Sequence, residues 1–284
     1  MKLFLNIAVY ILFAPLLGGL LSGLDRKITA RMQGRLGPPI IQPFYDVLKL
    51  LQKETTVVRR SQNFYIVFFL LFAIFTGGIF FTNGDILLVI FAMTLAGIFF
   101  VLGGYKASSP YSFTGAQREL ILMAAYEPAM ILSAIGMYMV TKSFYVRDIV
   151  FFNKPLIVYL PALFLSFIYI LAIKFRKSPF DLSMSHHAHQ ELVKGMTTEF
   201  SGRALAMIEL AHWYENVFIL GFIYLFFASS IFLAPLAAIA VYFFVILIDN
   251  VFARAKWQAV IVSSWLVAFI FGISNILILS FILR

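Results

Sequence analysis

Long apolar blocks separated by short polar stretches dominate the chain. A helix needs about 20 apolar residues to cross a bilayer core, and eight segments approach that length. Barrel strands would instead alternate apolar and polar residues, which these blocks do not. The pattern therefore predicts an all-α, polytopic membrane protein forming a single transmembrane domain over residues 1–284. The predicted spans are 3–24, 62–82, 86–103, 116–141, 156–175, 204–228, 233–252 and 258–281. Between the second and third spans, Asn83, Gly84 and Asp85 predict a tight turn.

The stretch after the first span carries a shorter amphipathic pattern. Phe44, Val47, Leu48 and Leu51 recur at helical spacing, and polar residues occupy the other side. This pattern predicts a surface helix of about 14 residues. Such a helix either lies in the membrane surface or lines a cavity, and the sequence leaves both interpretations open.

Composition and charge support this picture and add an orientation. Hydrophobic residues make up 62% of the chain and charged residues 12%, against about 25% charged in soluble domains. Of the 22 Lys and Arg residues, 17 follow spans one, three, five and seven. The positive-inside rule then places both termini on the outer side of the cell membrane. The net charge of +9 is thus interpreted as a topology signal and a contact for lipid headgroups, not for nucleic acid.

Two predicted spans carry charged residues that apolar helices rarely tolerate. Each charge at the bilayer centre costs about 2.5–3.5 kcal/mol, so these helices are expected to face protein or water. One interpretation is a proton relay; the other is static pairing with Arg118 or Arg203 that only fixes the packing. The residues concerned are Glu119 and Glu127 in the fourth span, Glu209, His212 and Glu215 in the sixth, and Glu199 and Arg203 just before the sixth.

A proline follows one of these glutamates. Pro128 removes one helix hydrogen bond and frees the carbonyl near Ala124. Glu127 is therefore predicted to lie at a kink with room for water.

The loop over residues 176–202 concentrates titratable side chains. His186 with His189, or His187 with Glu191, have spacings that could place two metal ligands on one helix face, but no diagnostic third ligand follows. We therefore predict no metal and favour a proton-handling or partner-facing histidine cluster. The chain has no cysteine, which excludes cysteine-ligated iron–sulfur clusters within it.

Several motifs in the loops resemble a known family. Residues 25–27 (DRK), 31–38 (RMQGRLGP), 42–43 (QP) and 49–54 (KLLQKE) resemble the first cytoplasmic loop of the membrane subunit of respiratory complex I that contacts the quinone chamber. Residues 178–182 (SPFDL), 190–193 (QELV) and 198–202 (TEFSG) resemble its loop between spans five and six. The stretch 183–189 (SMSHHAH) and a shorter loop before Gln42 are instead similar to the equivalent subunit of energy-converting, membrane-bound nickel–iron hydrogenases.

This resemblance implies a non-catalytic, ion-translocating anchor subunit of a multisubunit oxidoreductase. Its expected partners are the hydrogenase large and small subunits, antiporter-like membrane subunits, membrane lipids and, indirectly, ferredoxin. Ferredoxin-driven hydrogen evolution would be coupled to proton or sodium transport. The resemblance also implies that the nickel–iron centre and iron–sulfur clusters lie in partner subunits, with no cofactor in this chain.

The residues to which these roles are assigned fall into three sets. The proton pathway would comprise Glu119, Glu127, Asp181, Glu191, Glu199, Glu209 and Glu215. The loop that couples it to redox chemistry would involve His186, His187, His189, Arg203 and His212. Docking of the partner module would involve Arg26, Lys27, Arg31, Arg35, Lys49 and Lys53.

Three other functions are compatible with the sequence. The first is a quinone-, formate- or sulfur-linked relative of the same superfamily. The second is a stand-alone secondary transporter, which would need paired inverted halves with interrupted helices, and no such symmetry stands out. The third is a passive scaffold with a polar core.

Overall fold

The structure is a computed structural model that describes residues 2–54, 60–180, 183 and 195–282. These residues are almost entirely helical, and two short three-ten turns lie at Leu156–Val158 and Gly195–Thr197. A π-helical segment, Ala268–Ile273, joins the last two helices. The helices are α1 (Lys2–Met32), α2 (Gln42–Gln52), α3 (Arg60–Phe81), α4 (Ile86–Lys106), α5 (Pro110–Thr141), α6 (Val146–Val150), α7 (Pro161–Lys174), α8 (Gly202–Phe226), α9 (Leu233–Val251), α10 (Trp257–Val267) and α11 (Ser274–Ile282).

The helices confirm an all-α, polytopic membrane protein. Among the residues that the structure describes, six helical stretches are long and apolar enough to cross a membrane: Phe4–Met32, Ser61–Phe81, Ile86–Lys106, Pro110–Thr141, Leu233–Val251 and Trp257–Ile282. The fifth predicted span corresponds to α7, which is apolar but shorter. The sixth corresponds to α8, a 25-residue helix whose first half carries the predicted polar residues.

The chain divides into two compact units by its internal contacts. Unit 1 comprises Met1–Gly78, Ala92–Ile121 and Asp181–Val217. Unit 2 comprises Ile79–Phe91, Leu122–Phe180 and Phe218–Arg284. Stacked phenylalanines lie in the core of each: Phe69 on Phe100 in unit 1, with ring centroids 4.7 Å apart, and Phe167 on Phe222 in unit 2, at 4.8 Å.

The first helix extends beyond the predicted span. The apolar pattern predicts an end at residue 24, whereas α1 continues to Met32, so Arg26, Lys27 and Arg31 lie on a helix and not in a loop. The helix ends in a Schellman motif: the N–H of Gly34 donates to the Arg31 carbonyl at 3.1 Å, and the next N–H reaches back five residues. Gly34 has φ of +72°, a conformation that glycine adopts without strain. The apolar pattern ends at residue 24, but the helix continues until the Schellman motif at Gly34 terminates it.

The turn between α3 and α4 confirms the sequence prediction. Asn83 takes the left-handed conformation with φ of 64°, and the N–H of Gly84 donates to the Ile79 carbonyl at 2.9 Å. The Asp85 carboxylate then accepts the N–H of Leu87 at 2.7 Å, which caps the start of α4.

The fifth span is shorter at its start than predicted. Residues 156–160 form a three-ten turn and a bend, and α7 begins only at Pro161. The first free N–H groups of α7, those of Ala162 and Leu163, donate to the Asn275 side-chain oxygen at 3.1 and 3.0 Å. The Asn275 amide also donates to the Tyr159 carbonyl at 3.0 Å. The Asn275 side chain on α11 therefore provides the hydrogen-bond acceptor for the first N–H groups of α7, within an apolar region.

The amphipathic helix α2 forms, but with 11 residues and a different buried side. Val47 is buried in a cluster with Ala206 and Trp213, against which Phe44 and Leu50 pack. Two of the residues predicted for the apolar face, Leu48 and Leu51, are exposed. The helix therefore binds to α8 through one side and presents apolar side chains on another.

Candidate functional site

A buried carboxylate in unit 1 is joined to the 176–202 loop. Glu119 lies on α5 and is 5% exposed. Its Oε2 accepts a hydrogen bond from the Ser183 hydroxyl, and the Ser183 carbonyl in turn accepts the N–H of Met196 at 3.1 Å. Ser183 is thus bonded both to Glu119 and to the described segment of the loop that begins at Gly195.

The first turns of α5 hold the same loop segment by its backbone. The hydroxyl of buried Ser112 lies 3.0 Å from the Met196 carbonyl and 3.1 Å from that of Gly104. A Cβ atom at Gly115 would clash with the Met196 nitrogen and lie 2.8 Å from its Cα, so only glycine permits this approach. Ser112, Gly115 and Glu119 therefore form one docking surface for the loop along α5.

A second buried acidic group lies on α8. His212 Nδ1 and Glu215 Oε2 are 3.1 Å apart, and the two residues are 9% and 4% exposed. The imidazole contacts the rings of Phe69 and Phe100 edge-on, at centroid distances of 5.5 and 5.4 Å. The pair therefore places an imidazole and a carboxylate in direct contact within an apolar surrounding.

The other predicted residues near the start of α8 are less buried. Glu199 and Glu209 are half-buried, and Arg203 is exposed. Gly202 has φ of +53°, and a Cβ there would lie 2.7 Å from the Glu54 carbonyl oxygen. The loop therefore ends in contact with the segment that follows α2.

The second predicted glutamate of α5 lies in unit 2. Glu127 is half-buried and precedes Pro128 inside the helix. The carbonyl of Ala124, which Pro128 leaves without a helical donor, accepts the indole N–H of Trp265 at 3.0 Å. The carbonyl that Pro128 frees is thus bound by a side chain from α10, and the room for water predicted beside Glu127 stays a prediction.

A buried lysine in unit 2 was not among the sequence-predicted site residues. Lys174, at the end of α7, is 8% exposed. Its ammonium donates to the Tyr126 hydroxyl at 3.0 Å and lies 4.2 Å from the centre of that ring. This combination of hydrogen bond and cation–π contact stabilises a charge that burial would otherwise disfavour.

The predicted docking residues lie around the end of α1 and along α2. Arg26 forms an ion pair with Asp46, at 2.6 Å between Nη1 and Oδ2, with both side chains solvent-accessible. Lys27 is half-buried. The remaining members, all exposed, are Arg31, Arg35, Lys49 and Lys53.

Part of the predicted site lies outside the described residues, namely Asp181, His186, His187, His189 and Glu191. Within the described ranges, no group of three or more His, Cys, Asp or Glu side chains is arranged to hold a metal ion.

The chain resembles known proteins over nearly its whole length. The family described as NADH dehydrogenase matches residues 5–280. The chain belongs to this family. The resemblance drawn from the loop motifs is thereby confirmed.

Three proteins illustrate the range of similarity. Hydrogenase-4 component C of Escherichia coli (strain K12) is 32% identical over 68% of this chain, and the match spans 64% of that protein, less than two thirds of its length. The H-type subunit of the NADH-quinone oxidoreductase of Bacillus cytotoxicus is 30% identical over 77% of this chain and 71% of that protein. A chain in the structure of the membrane-bound sulfane sulfur reductase, an archaeal respiratory membrane complex, superposes with a TM-score of 0.86 at 25% identity, covering 97% of this chain and all of that one.

Sequence reasoning within the family missed several residues that build the site. Ser112 and Ser183 carried no signal, since isolated serines are common in loops and at helix starts. Asn275 did carry a sequence signal, because a lone amide side chain in an apolar span usually forms a hydrogen bond to another helix. Lys174 was counted only as a topology signal because its buried partner lies 48 positions away.

Proposed function

We propose that this chain is the ion-translocating membrane anchor subunit of a complex I-like, energy-converting hydrogenase. It docks a cytoplasmic nickel–iron hydrogenase module and couples ferredoxin-driven hydrogen evolution to the transport of protons or sodium ions. We further propose that it lies in the cell membrane with both termini on the outer side. Similarity to Hydrogenase-4 component C and to the loop motifs of that class supports this assignment.

The observation that carries the proposal is the bond between the loop and Glu119. The Ser183 hydroxyl donates to this buried carboxylate, so movement of Ser183 makes or breaks a direct bond to the proposed proton carrier. A redox event in the docked module that displaces the loop would thereby load or unload this carboxylate. Burial matters here because electrostatic interactions are stronger away from water.

The His212–Glu215 pair supplies a second proton-holding group in unit 1. Imidazole exchanges protons near neutral pH, and its carboxylate partner stabilises the protonated ring. Glu199 and Glu209, both half-buried, are candidates for proton exchange between such groups and water. Glu127 is assigned the same function in unit 2.

The exposed basic residues around α2 are proposed to bind the hydrogenase module. Arg31, Arg35, Lys49 and Lys53 combine with the exposed apolar side chains of Leu48 and Leu51. Mixed basic and apolar surfaces of this kind are common at interfaces, where arginine is enriched. The antiporter-like membrane subunits complete the proposed assembly through other faces of the bundle.

Replacing Glu119 by Gln in the intact complex tests the function. Glutamine keeps the shape and an acceptor for Ser183 but cannot carry a proton, so ion transport coupled to hydrogen evolution should be lost in proteoliposomes. Asp148→Asn is the matched control, since Asp148 is an exposed acid that accepts a local bond from Ser143 at 2.6 Å. Transport equal to wild type in Glu119→Gln would remove this residue from the pathway.

A sulfur- or quinone-linked complex is the second candidate. The structural match to the sulfane sulfur reductase complex over 97% of this chain favours a sulfur-linked relative. Nickel analysis of the purified complex, together with assays of hydrogen evolution and of sulfane sulfur reduction, separates the two. Absence of nickel with sulfane sulfur reduction would replace the hydrogenase assignment.

A further inference from the structure

A proline interrupts the hydrogen bonding of α1 within unit 1. Pro15 lies inside this helix and has no N–H to donate, so the Ile11 carbonyl one turn earlier loses its helical partner. Hydrocarbon offers no hydrogen bonds to such a group, so a membrane helix tolerates a proline where a neighbouring helix supplies a donor. The donor here is the Tyr214 hydroxyl of α8, which lies 2.8 Å from the Ile11 carbonyl oxygen. A side chain of α8 therefore closes the break in α1.

The surfaces of α1 and α8 fit closely around this hydrogen bond. Tyr10, Ala14 and Gly18 recur every four residues on α1, and all three are buried. The rings of Tyr10 and Tyr214 pack with their centroids 5.6 Å apart. A Cβ atom at Gly18 would lie 2.6 Å from the Trp213 carbonyl oxygen, so only glycine permits this approach. The Tyr214 ring is therefore held by contacts that α1 makes both before and after its break.

The same turn of α8 carries the buried His212–Glu215 pair. Tyr214 immediately precedes Glu215 and is itself 5% exposed. Residues in one helical turn move together, because helical hydrogen bonds fix their relative positions. A displacement of the Tyr214 hydroxyl is therefore transmitted to Glu215 and to its 3.1 Å contact with the His212 ring.

The part of α1 that follows the break leads to the surface proposed to bind the hydrogenase module. It runs from Pro15 to Met32 and carries Arg26 and Arg31 in its last two turns. Long helices bend sharply at prolines. Movement of a docked module would therefore change the angle between the two parts of α1, at the carbonyl that Tyr214 binds.

We propose that Tyr214 is a positioning residue that couples the angle of α1 at Pro15 to the position of the His212–Glu215 pair. This inference rests on the proposed function, which gives the pair and the docking end of α1 their roles. A hydrogen bond between membrane helices changes the ratio of two conformations by roughly 3- to 20-fold. Such a bond is strong enough to favour one angle and weak enough to break during each turnover.

Spin labels on either side of the break test whether Tyr214 sets the angle of α1. The chain has no cysteine, so Leu5→Cys and Leu24→Cys, both at exposed positions, provide two labelling sites in the intact complex. Complex without these two substitutions, labelled in the same way, gives the background from partner subunits. Tyr214→Phe removes the hydroxyl and keeps the ring. It should raise the ratio of a second distance population to the main one by roughly 3- to 20-fold.

Tyr169→Phe is the matched control for this measurement. Its hydroxyl donates to the Ser263 hydroxyl at 2.7 Å within unit 2, so the same chemical change is made away from α1. The two distance populations should then remain as in the wild type. Populations in Tyr214→Phe that equal those of this control would overturn the proposal, because the hydroxyl would not set the angle.

Pro15→Ala separates a positioning role from simple capping. Alanine restores the N–H that donates to the Ile11 carbonyl, so adding Tyr214→Phe to this variant should change the distances far less than in the wild type. The bond to α8 is still missing, so the number of ions transported per electron should stay as low as in Tyr214→Phe alone. A wild-type ratio of ions to electrons in Tyr214→Phe, or its return in the double variant, would overturn the positioning role. A wild-type complex that transports no ions would instead overturn the proposed function, while the distances would still judge the bond between α1 and α8.

Discussion

Asn275 offers the sharpest test of how this bundle is held together. Its side chain is 5% exposed and forms three hydrogen bonds of 3.0–3.1 Å with the start of α7 and the turn before it. Asn275→Leu keeps a similar volume and removes all three. Two N–H groups and one carbonyl would then remain in an apolar region without their partner.

Two estimates of the energy of such hydrogen bonds bracket the loss of stability expected for Asn275→Leu. Hydrogen bonds between membrane helices average about 0.6 kcal/mol each in double-mutant cycles, which gives about 2 kcal/mol for three. Unsatisfied buried groups cost about 1–3 kcal/mol each, which sets a higher limit. Backbone N–H groups at a helix start can relax toward other acceptors, so we expect about 2–4 kcal/mol. At roughly 2–4 °C per kcal/mol, the apparent Tm should fall by about 4–16 °C.

Thermal unfolding in a mild detergent, followed by the monodisperse fraction after heating, measures this shift. Ser280→Ala is the control on the same helix, because the exposed Ser280 hydroxyl donates within its own helix to the Leu277 carbonyl. A Tm for Asn275→Leu equal to that of the control would refute the role of Asn275 as a cap.

Three further predictions concern residues described above, two in close contacts and one on the surface. Gly115→Ala drives a Cβ into the Met196 backbone, so the loop should detach and hydrogen exchange at the Met196 amide should accelerate; unchanged exchange would contradict this. Trp265→Phe removes the donor to the Ala124 carbonyl and should lower stability by about 1 kcal/mol, seen as a reduced Tm in detergent. Arg31→Glu should reduce co-purification of the docked module with little change in the Tm of the isolated subunit, since Arg31 is exposed.

Hydrophobic blocks were sufficient to predict most of the helices. The turn at Asn83 was also predictable, because left-handed asparagine and an aspartate cap are local effects. The length of α7 was not predictable from the sequence. The apolar run begins at residue 156, whereas the helix begins at Pro161, where Asn275 can accept its first N–H groups. Local pattern cannot show a partner more than 100 positions away.

The candidate site was predictable in its residue types but not in its contacts. Buried Glu119 and the His212–Glu215 pair follow from charges placed in apolar helices, for which burial against protein is the favourable outcome. The hydrogen bond from Ser183 to Glu119 could not be predicted, because it depends on the tertiary position of Ser183, which local sequence does not determine. Asp249 lies near the end of a predicted span, and the sequence does not reveal its ion pair with Lys177, 72 positions away, at 3.1 Å.

The length of α1 has a mechanical consequence. With 31 residues the helix extends over about 46 Å, whereas a bilayer hydrocarbon core is about 30 Å thick. The helix is therefore roughly 15 Å longer than the hydrocarbon core is thick, and Arg26 and Arg31 lie in its last two turns. A protein bound to the C-terminal end of α1 would be held at a distance from the bilayer that the helix length sets. A tilt of the helix would displace that protein sideways.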